Sequence, residues 1–354
     1  MNGLRGAFRG LAVFVCLSVL NLCVIGAQSG RRSDNKPPKP PNTRPGPIAE
    51  PGRSPLPQKP SDQTKAEGVE IDPNDVVRIT SNLVPIPATI VDNRGTAVTG
   101  LTLENFELLV DGQPRALSDL TRTETSVRLA MLFDNSGSLD AAREFEKQAA
   151  MHFFRRVMRP VDEAAIFSIE SESYLAQPLT KDVKLLERTI NSFGRPEGST
   201  SLFDAIVDAA AYLRPYPGRR VLVIVSDGIE TTSRKDFDTT LQRVLSDDCQ
   251  IFVVQTGLYE GANLRALAAE RRMEQLSSQT GGAVYIPKSV AELTEAFDQI
   301  AADLAQQYVL SYYPTADERD GRYHRLELRV KSRKDVRIRS RRGYYSPKSS
   351  SPPE

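Results

Sequence analysis

The 354-residue chain has little cysteine, little histidine and almost no net charge. Its three cysteines are Cys16, Cys23 and Cys249. The first two fall in an apolar leader, so beyond it Cys249 stands alone and no internal disulfide can form. Cys249 precedes the apolar run 251–254 and reads as a small buried hydrophobe. The two histidines, His152 and His324, leave Ser-His-Asp hydrolase chemistry poorly provided for. His152 falls on the apolar side of a helical pattern, where a packed residue is expected rather than a base. With 46 basic and 45 acidic residues, no global field points to nucleic acid.

The amino-terminal 60 residues are of two kinds. Arg5 and Arg9 precede an uncharged stretch from Gly10 to Gly30, with small residues Gly26, Ala27 and Ser29 near its end. Residues 1–29 therefore read as a signal peptide, with an uncleaved anchor as the alternative because the stretch approaches spanning length. Asn21 weakens the anchor reading. Leu20-Asn21-Leu22-Cys23 is a poor lipoprotein signal, because Leu22 is bulky. Residues 31–60 hold ten prolines and almost no apolar bulk. Such a segment cannot bury enough surface to fold, so 30–67 is expected to be an extended tether. The expected location is secreted, periplasmic or envelope-associated.

Beyond the tether the hydrophobic period changes twice. Residues 68–125 read as a small all-β module: strands at 76–79, 83–91 and 106–110, with turn signals at Asp92-Asn93-Arg94-Gly95 and Asp111-Gly112. From Val127, short apolar strands alternate with helical patterns. Strands are expected at 127–133, 164–169, 221–225, 251–255 and 283–286; helices at 139–158, 182–193, 202–213, 235–247, 262–279 and 289–306. In the first helix Phe145, Ala149, His152, Phe153 and Val157 are expected on one side. This is an α/β pattern, a doubly wound and mostly parallel sheet with helices on both faces. Residues 307–346 return to β, with strands at 308–313, 323–331 and around Val336 and Ile338. These strands are expected to pack with the earlier β module, since neither piece is comfortable alone. Residues 347–354 read as a disordered tail.

Five oxygen-bearing residues stand where such a sheet places its ligands, beyond the carboxyl ends of strands or before a helix. They are Asp134, Ser136 and Ser138 in Phe133-Asp134-Asn135-Ser136-Gly137-Ser138, Thr200 in Gly198-Ser199-Thr200, and Asp227 in Ser226-Asp227-Gly228. Oxygen donors suit Mg²⁺, or Mn²⁺ and Ca²⁺, and suit zinc or copper poorly. Two carboxylates balance one divalent cation, and three hydroxyls add donors without charge. A cation held so would stay electron-poor and favour an outside carboxylate. The plainer reading is that these residues only cap helices and turns; it does not explain the coincidence of five.

In order and spacing, Asp134-x-Ser136-x-Ser138, Thr200 and Asp227 resemble the metal-ion-dependent adhesion site of the von Willebrand factor A domain, over residues 126–306. The turn Val91-Asp92-Asn93-Arg94-Gly95 before Gly100-Leu101 and the ending Arg342-Gly343-Tyr344-Tyr345 resemble bacterial VWFA-related proteins of the Acidobacteria type. The resemblance implies that Ser136, Ser138 and Thr200 contact the metal, that Asp134 and Asp227 act largely through water, and that a partner's Asp or Glu completes the shell. Glu230, Glu197 and Arg195 could rim the site, although solvated surface charge is the simpler expectation for all three.

The function expected is a metal-dependent protein-binding, adhesion-type module rather than an enzyme. A scaffold protein with a stabilising metal site is the alternative. A phosphatase of the haloacid-dehalogenase type would need a second acid two residues after Asp134, where Ser136 stands.

Overall fold

The computed structural model describes residues 83–122, 125–135, 143–194, 198–256, 264–331, 333 and 335–346. The leader, the Pro-rich segment, the strand expected at 76–79, Ser136, Gly137, Ser138, Arg195, Glu197 and the tail after residue 346 lie outside the described residues. The described part falls within one compact unit. No helix among the described residues is long and apolar enough to cross a membrane.

Four strands come first: β1 (Val84–Asp92), β2 (Phe106–Val110), β3 (Gln113–Arg115) and β4 (Asp119–Thr121). The alternating unit follows as β5 (Val127–Asp134), α1 (Arg143–Val157), β6 (Glu163–Ile169), β7 (Tyr174–Thr180), α2 (Val183–Ser192), α3 (Leu202–Leu213) and β8 (Arg219–Ser226). It continues as α4 (Phe237–Ser246), β9 (Cys249–Gln255), α5 (Leu264–Thr280), β10 (Val284–Tyr285) and α6 (Val290–Gln306). Four more strands close the chain: β11 (Tyr308–Tyr312), β12 (Tyr323–Val330), β13 (Val336–Ser340) and β14 (Gly343–Tyr345).

The central sheet has six strands in the order β10-β9-β8-β5-β6-β7. All neighbouring pairs are parallel except β6 with β7, so one antiparallel edge strand is added to the expected set. That strand escapes the hydrophobic pattern because it is only half-buried and contains Gln177 and Pro178. The inner strands read as near-continuous apolar runs because both faces are covered. Val127, Leu129, Met131 and Phe133 of β5 join the core under α1, α2 and α6. The alternate residues Ala130 and Leu132 join the core under α3, α4 and α5. This is an α/β fold with helices on both faces.

The outer strands form two further four-stranded sheets, ordered β13-β1-β11-β4 and β14-β12-β2-β3. Each mixes strands from before and after the α/β unit: β1 pairs with β11 and β13, and β2 with β12, all antiparallel. Alternate residues from both sheets, including Ile86, Ile90, Leu108, Tyr308, Tyr312, Leu326 and Leu328, make one shared core. Arg219, at the start of β8, binds this layer to the α/β unit. It donates to Leu304 O at 3.1 Å and to Gln307 Oε1, and Gln307 Nε2 donates to Thr89 Oγ1 at 3.3 Å.

His324 belongs to the outer layer and is buried. Its Nδ1 lies 2.8 Å from Asp111 Oδ2 and its Nε2 lies 3.1 Å from Asp320 Oδ1. Burial alone would push the imidazole pKa down; the two carboxylates outweigh it, so the pKa is raised above its ordinary 6.5. A raised histidine pKa contributes stability that is fully present below the unfolded value and lost as pH rises through the folded one. The Asp partners are shifted down from 3.8, so their contribution is kept until strongly acid pH. Thermal melts of wild type and His324→Gln should therefore differ most between about pH 4 and 6, converging as pH climbs past the histidine's titration. A difference that does not change with pH over this range would remove the ionic interpretation.

Helix α1 is turned by about one residue from its expected setting. Arg143, Glu146, Lys147, Ala149, Ala150, Met151, Phe153 and Phe154 are buried, whereas Phe145 is 50% exposed. His152 is not packed core: its side chain is 46% exposed and its Nε2 lies 3.4 Å from Asp298 Oδ1 of α6, beside Arg156. The reason is that inward partners await the charged residues. Lys147 Nζ donates to Phe193 O at 2.7 Å, and Arg143 reaches the end of β5. Cys249 is buried as expected, and burial pushes its thiol pKa up strongly.

Candidate metal centre

The strand order reverses between β5 and β8, the switch point at which open α/β sheets bind ligands. Asp134 is the last residue of β5, and Asp227 directly follows β8. Both are buried, 1% and 3% exposed. Ser226 links them: its hydroxyl donates to Asp134 Oδ2 at 2.5 Å and accepts from Gly228 N at 2.9 Å. Asp227 Oδ1 accepts from Ile229 N at 2.8 Å, which closes a tight turn over the strand end. Gly228 makes that turn at φ +79°, and a Cβ there would stand 3.2 Å from Met273 Cγ. Gln255 Nε2, from the end of β9, donates to Asp227 O at 3.0 Å.

Thr200 is pinned by its backbone. Its N–H donates to Thr231 Oγ1 at 2.7 Å, and its carbonyl accepts from Thr231 N, Thr232 N and Thr231 Oγ1. The next residue, Ser201, donates through both N–H and hydroxyl to Glu170 O at the end of β6. Thr200 thus sits between the β6 end and the loop after β8, only 4% exposed. Ser201, not Thr200, holds the N-cap position of α3, and it makes no side-chain cap bond. A mere capping role for Thr200 therefore fails.

Glu230 is not the solvated surface charge expected of it. Its Oε2 accepts from Phe203 N at 3.0 Å in the first turn of α3, and from Ser233 Oγ at 2.7 Å. Its Oε1 accepts from Thr232 N and Ser233 N. The orphan N–H groups of a helix start attract such a carboxylate, and here one from a distant loop supplies it. Asp204 answers by accepting from Arg234 N and Lys235 N, so α3 and the β8–α4 loop hold each other.

Beneath this edge lies a set of polar residues that motif reading passed over. Arg143 stacks 4.4 Å over the Phe133 ring, donates to Asp134 O at 2.5 Å and also donates to Asn135 Oδ1. One turn further along α1, Glu146 is fully buried. Burial pushes its pKa up to about 7; the Thr256 hydroxyl and Arg143 pull it down, and the Asp134 and Asp227 carboxylates push it up again. The Thr256 hydroxyl is near enough to act on it, yet neither Glu146 oxygen nor Thr256 Oγ1 completes a hydrogen bond of normal geometry. The signal was present in the sequence: Glu146 falls in step with Ala149, Ala150 and Phe153, at helical spacing on a core stripe.

A hard divalent cation fits this chemistry. Asp134, Asp227 and Thr200 offer oxygen only, on one buried edge, with orphaned acceptor atoms of Glu146 just behind. No group of three or more His, Cys, Asp or Glu side chains suited to hold a metal occurs among the described residues. The candidate set has two carboxylates, its other donors being hydroxyls. A cavity of about 210 Å³ lined by Pro85, Arg219, Cys249 and Arg341 lies at the amino ends of β8 and β9, the wrong edge for this site.

The six-stranded order with its antiparallel edge, and Asp134 and Asp227 at its carboxyl edge, agree with the fold expected from the von Willebrand factor A resemblance. No family model matches the chain, and no curated protein matches it in sequence. Among solved structures it is similar to an aerotolerance-related membrane protein from Bacteroides fragilis, 17% identical, TM-score 0.40, covering 50% of this chain and 98% of that one. It is similar also to the vWF domain of the type V pili tip protein Mfa5 from Porphyromonas gingivalis, 12% identical, TM-score 0.40, covering 50% and 94%. A third is the PilB minor pilin from Streptococcus sanguinis, 11% identical, TM-score 0.42, covering 51% of this chain and 62% of that one.

Proposed function

We propose that the chain is an exported, non-enzymatic binding module that captures a partner's Asp or Glu carboxylate through a divalent cation, Mg²⁺ or else Mn²⁺ or Ca²⁺. Asp134, Ser136, Ser138, Thr200 and Asp227 would hold the cation, which when bound supplies an electrophilic position for the partner's oxygen. The observation that carries this reading is the lock between Ser226 and Asp134 Oδ2 beside Asp227 at the strand-order reversal. It fixes one carboxylate and braces its neighbour without using a general base or a nucleophile. Glu230 and Glu170 are committed to binding backbone and neighbouring side chains, which sets the strand ends rigidly and leaves chemistry to the cation. The leader of residues 1–29 would deliver the chain to the envelope, where the Pro-rich segment would hold the module away from the surface.

The test is capture from the native envelope fraction on the immobilised chain, with EDTA and with Mg²⁺ restored. Retention should vanish with chelator, return with Mg²⁺, and be absent for Asp134→Ala. A partner held equally well in EDTA would end the cation-bridge reading.

A further inference from the structure

Glu146 is a carboxylate on α1 that the motif does not contain. It is 0% exposed, and neither of its oxygens completes a hydrogen bond of normal geometry. Arg143, one turn back on the same helix, donates to Asp134 O at the end of β5, so this part of α1 lies against the candidate edge. Asp134 at the end of β5, Asp227 after β8 and Thr256 after β9 are the groups whose charge or hydroxyl acts on Glu146. An ionised carboxylate accepts only, at about four lone-pair positions, and an unsatisfied buried charge is costly. Something must donate to it when the site is filled.

We infer that Glu146 is a positioning residue for the cation site, accepting hydrogen bonds from water that enters with a hydrated divalent cation. The inference rests on the reading that Asp134, Thr200 and Asp227 serve a hard cation. Mg²⁺ gives up its waters reluctantly and usually keeps several, so a buried acceptor just behind the carboxylates suits it. Outer partners of this kind orient what the direct ligands hold, and losing one commonly costs about 10–100-fold in metal affinity.

The experiment is calorimetric titration of the full chain with Mg²⁺ alone, at one fixed alkaline pH, for wild type, Glu146→Gln and Asp134→Ala, with thermal melts in EDTA. Glu146→Gln keeps the shape and removes the charge. It should bind Mg²⁺ at least about 10-fold more weakly, whereas its melting temperature in EDTA equals or exceeds that of wild type. The two readouts move in opposite directions, which a merely structural glutamate would not produce. Wild-type affinity in Glu146→Gln overturns the inference while leaving the cation site standing. Absence of Mg²⁺ binding by wild type overturns the cation site itself. Should Glu146→Gln fail to fold, Glu146→Asp keeps the charge and shortens its reach; weakened Mg²⁺ binding supports the inference and unchanged binding overturns it.

Discussion

Asp134→Ala should weaken divalent-cation binding by about 100-fold, the upper end expected for a carboxylate that acts on the cation through water, and should still melt cooperatively. The two halves of that expectation have separate causes. Asp134 is the only candidate metal residue on β5 itself, and its carboxylate is held by the Ser226 hydroxyl. No neighbouring described side chain can take its place, because Asn135 is occupied by Glu170 and Arg143. Stability is a balance. The substitution takes the acceptor from the Ser226 hydroxyl proton, a cost of about 1–3 kcal/mol, while Ser226 Oγ still accepts from Gly228 N. It also removes a buried carboxylate whose charge pushes the Glu146 pKa up, which offsets part of that cost. The backbone of β5 stays paired to β6 and β8 across its length. Titration with Mg²⁺ and a thermal melt in EDTA check both halves; an affinity within a few-fold of wild type would show that the cation is not held here.

Among the described glycines, Gly282 should tolerate an added methyl (Gly282→Ala) least. An ideal Cβ at Gly282 would stand 1.7 Å from Ile251 O and 2.6 Å from Ile251 C, both backbone atoms of β9. No side-chain rotation relieves that clash. The α5–β10 connection must move away from the sheet, yet Gly282 N is bonded to Ser277 O at 2.9 Å and Ala283 O accepts from Val253 N at 2.9 Å. Overpacking a rigid core usually costs about 1–3 kcal/mol, and a backbone collision of this depth should exceed it. Denaturant unfolding should show a loss of about 3 kcal/mol or more with the β9–β10 pairing weakened first. A change under about 1 kcal/mol would mean that this edge is far softer than its packing implies. Since Gly282 is distant from the carboxyl ends of β5 and β8, any folded fraction should bind Mg²⁺ normally, which separates it from Asp134→Ala.

Much of the architecture was legible because period carries it. The apolar runs of β5, β8 and β9 are buried on both faces, so their helices had to lie on both sides. The strands β3, β4 and β7 left no such mark. They are short or only half-buried, and their residues are chosen by hydrogen-bonding position rather than by burial. Helix α1 misled for a related reason. Its stripe contains Arg143, Glu146 and Lys147, so apolarity alone chose a face one residue away and brought Phe145 and His152 inward. Within the candidate centre, Asp134, Thr200 and Asp227 could be named from motif spacing. Glu230 could be named only as a possible rim residue, and the roles of Ser226, Glu146 and Thr256 were not legible, because what they do depends on which distant backbone or carboxylate stands opposite.

Composition and order by themselves determined an α/β unit flanked by β strands, and raised the expectation of a hard-oxygen donor set at Asp134, Thr200 and Asp227. Tertiary structure alone decided that the reversal of strand order falls between Asp134 and Asp227, that the two β segments share one core, and that a buried glutamate lies beneath the site. The division follows from range. Burial and donor type are properties of a residue and its near neighbours in sequence, whereas pairing, register and the partner of a buried charge are set by chain segments more than two hundred residues apart in sequence.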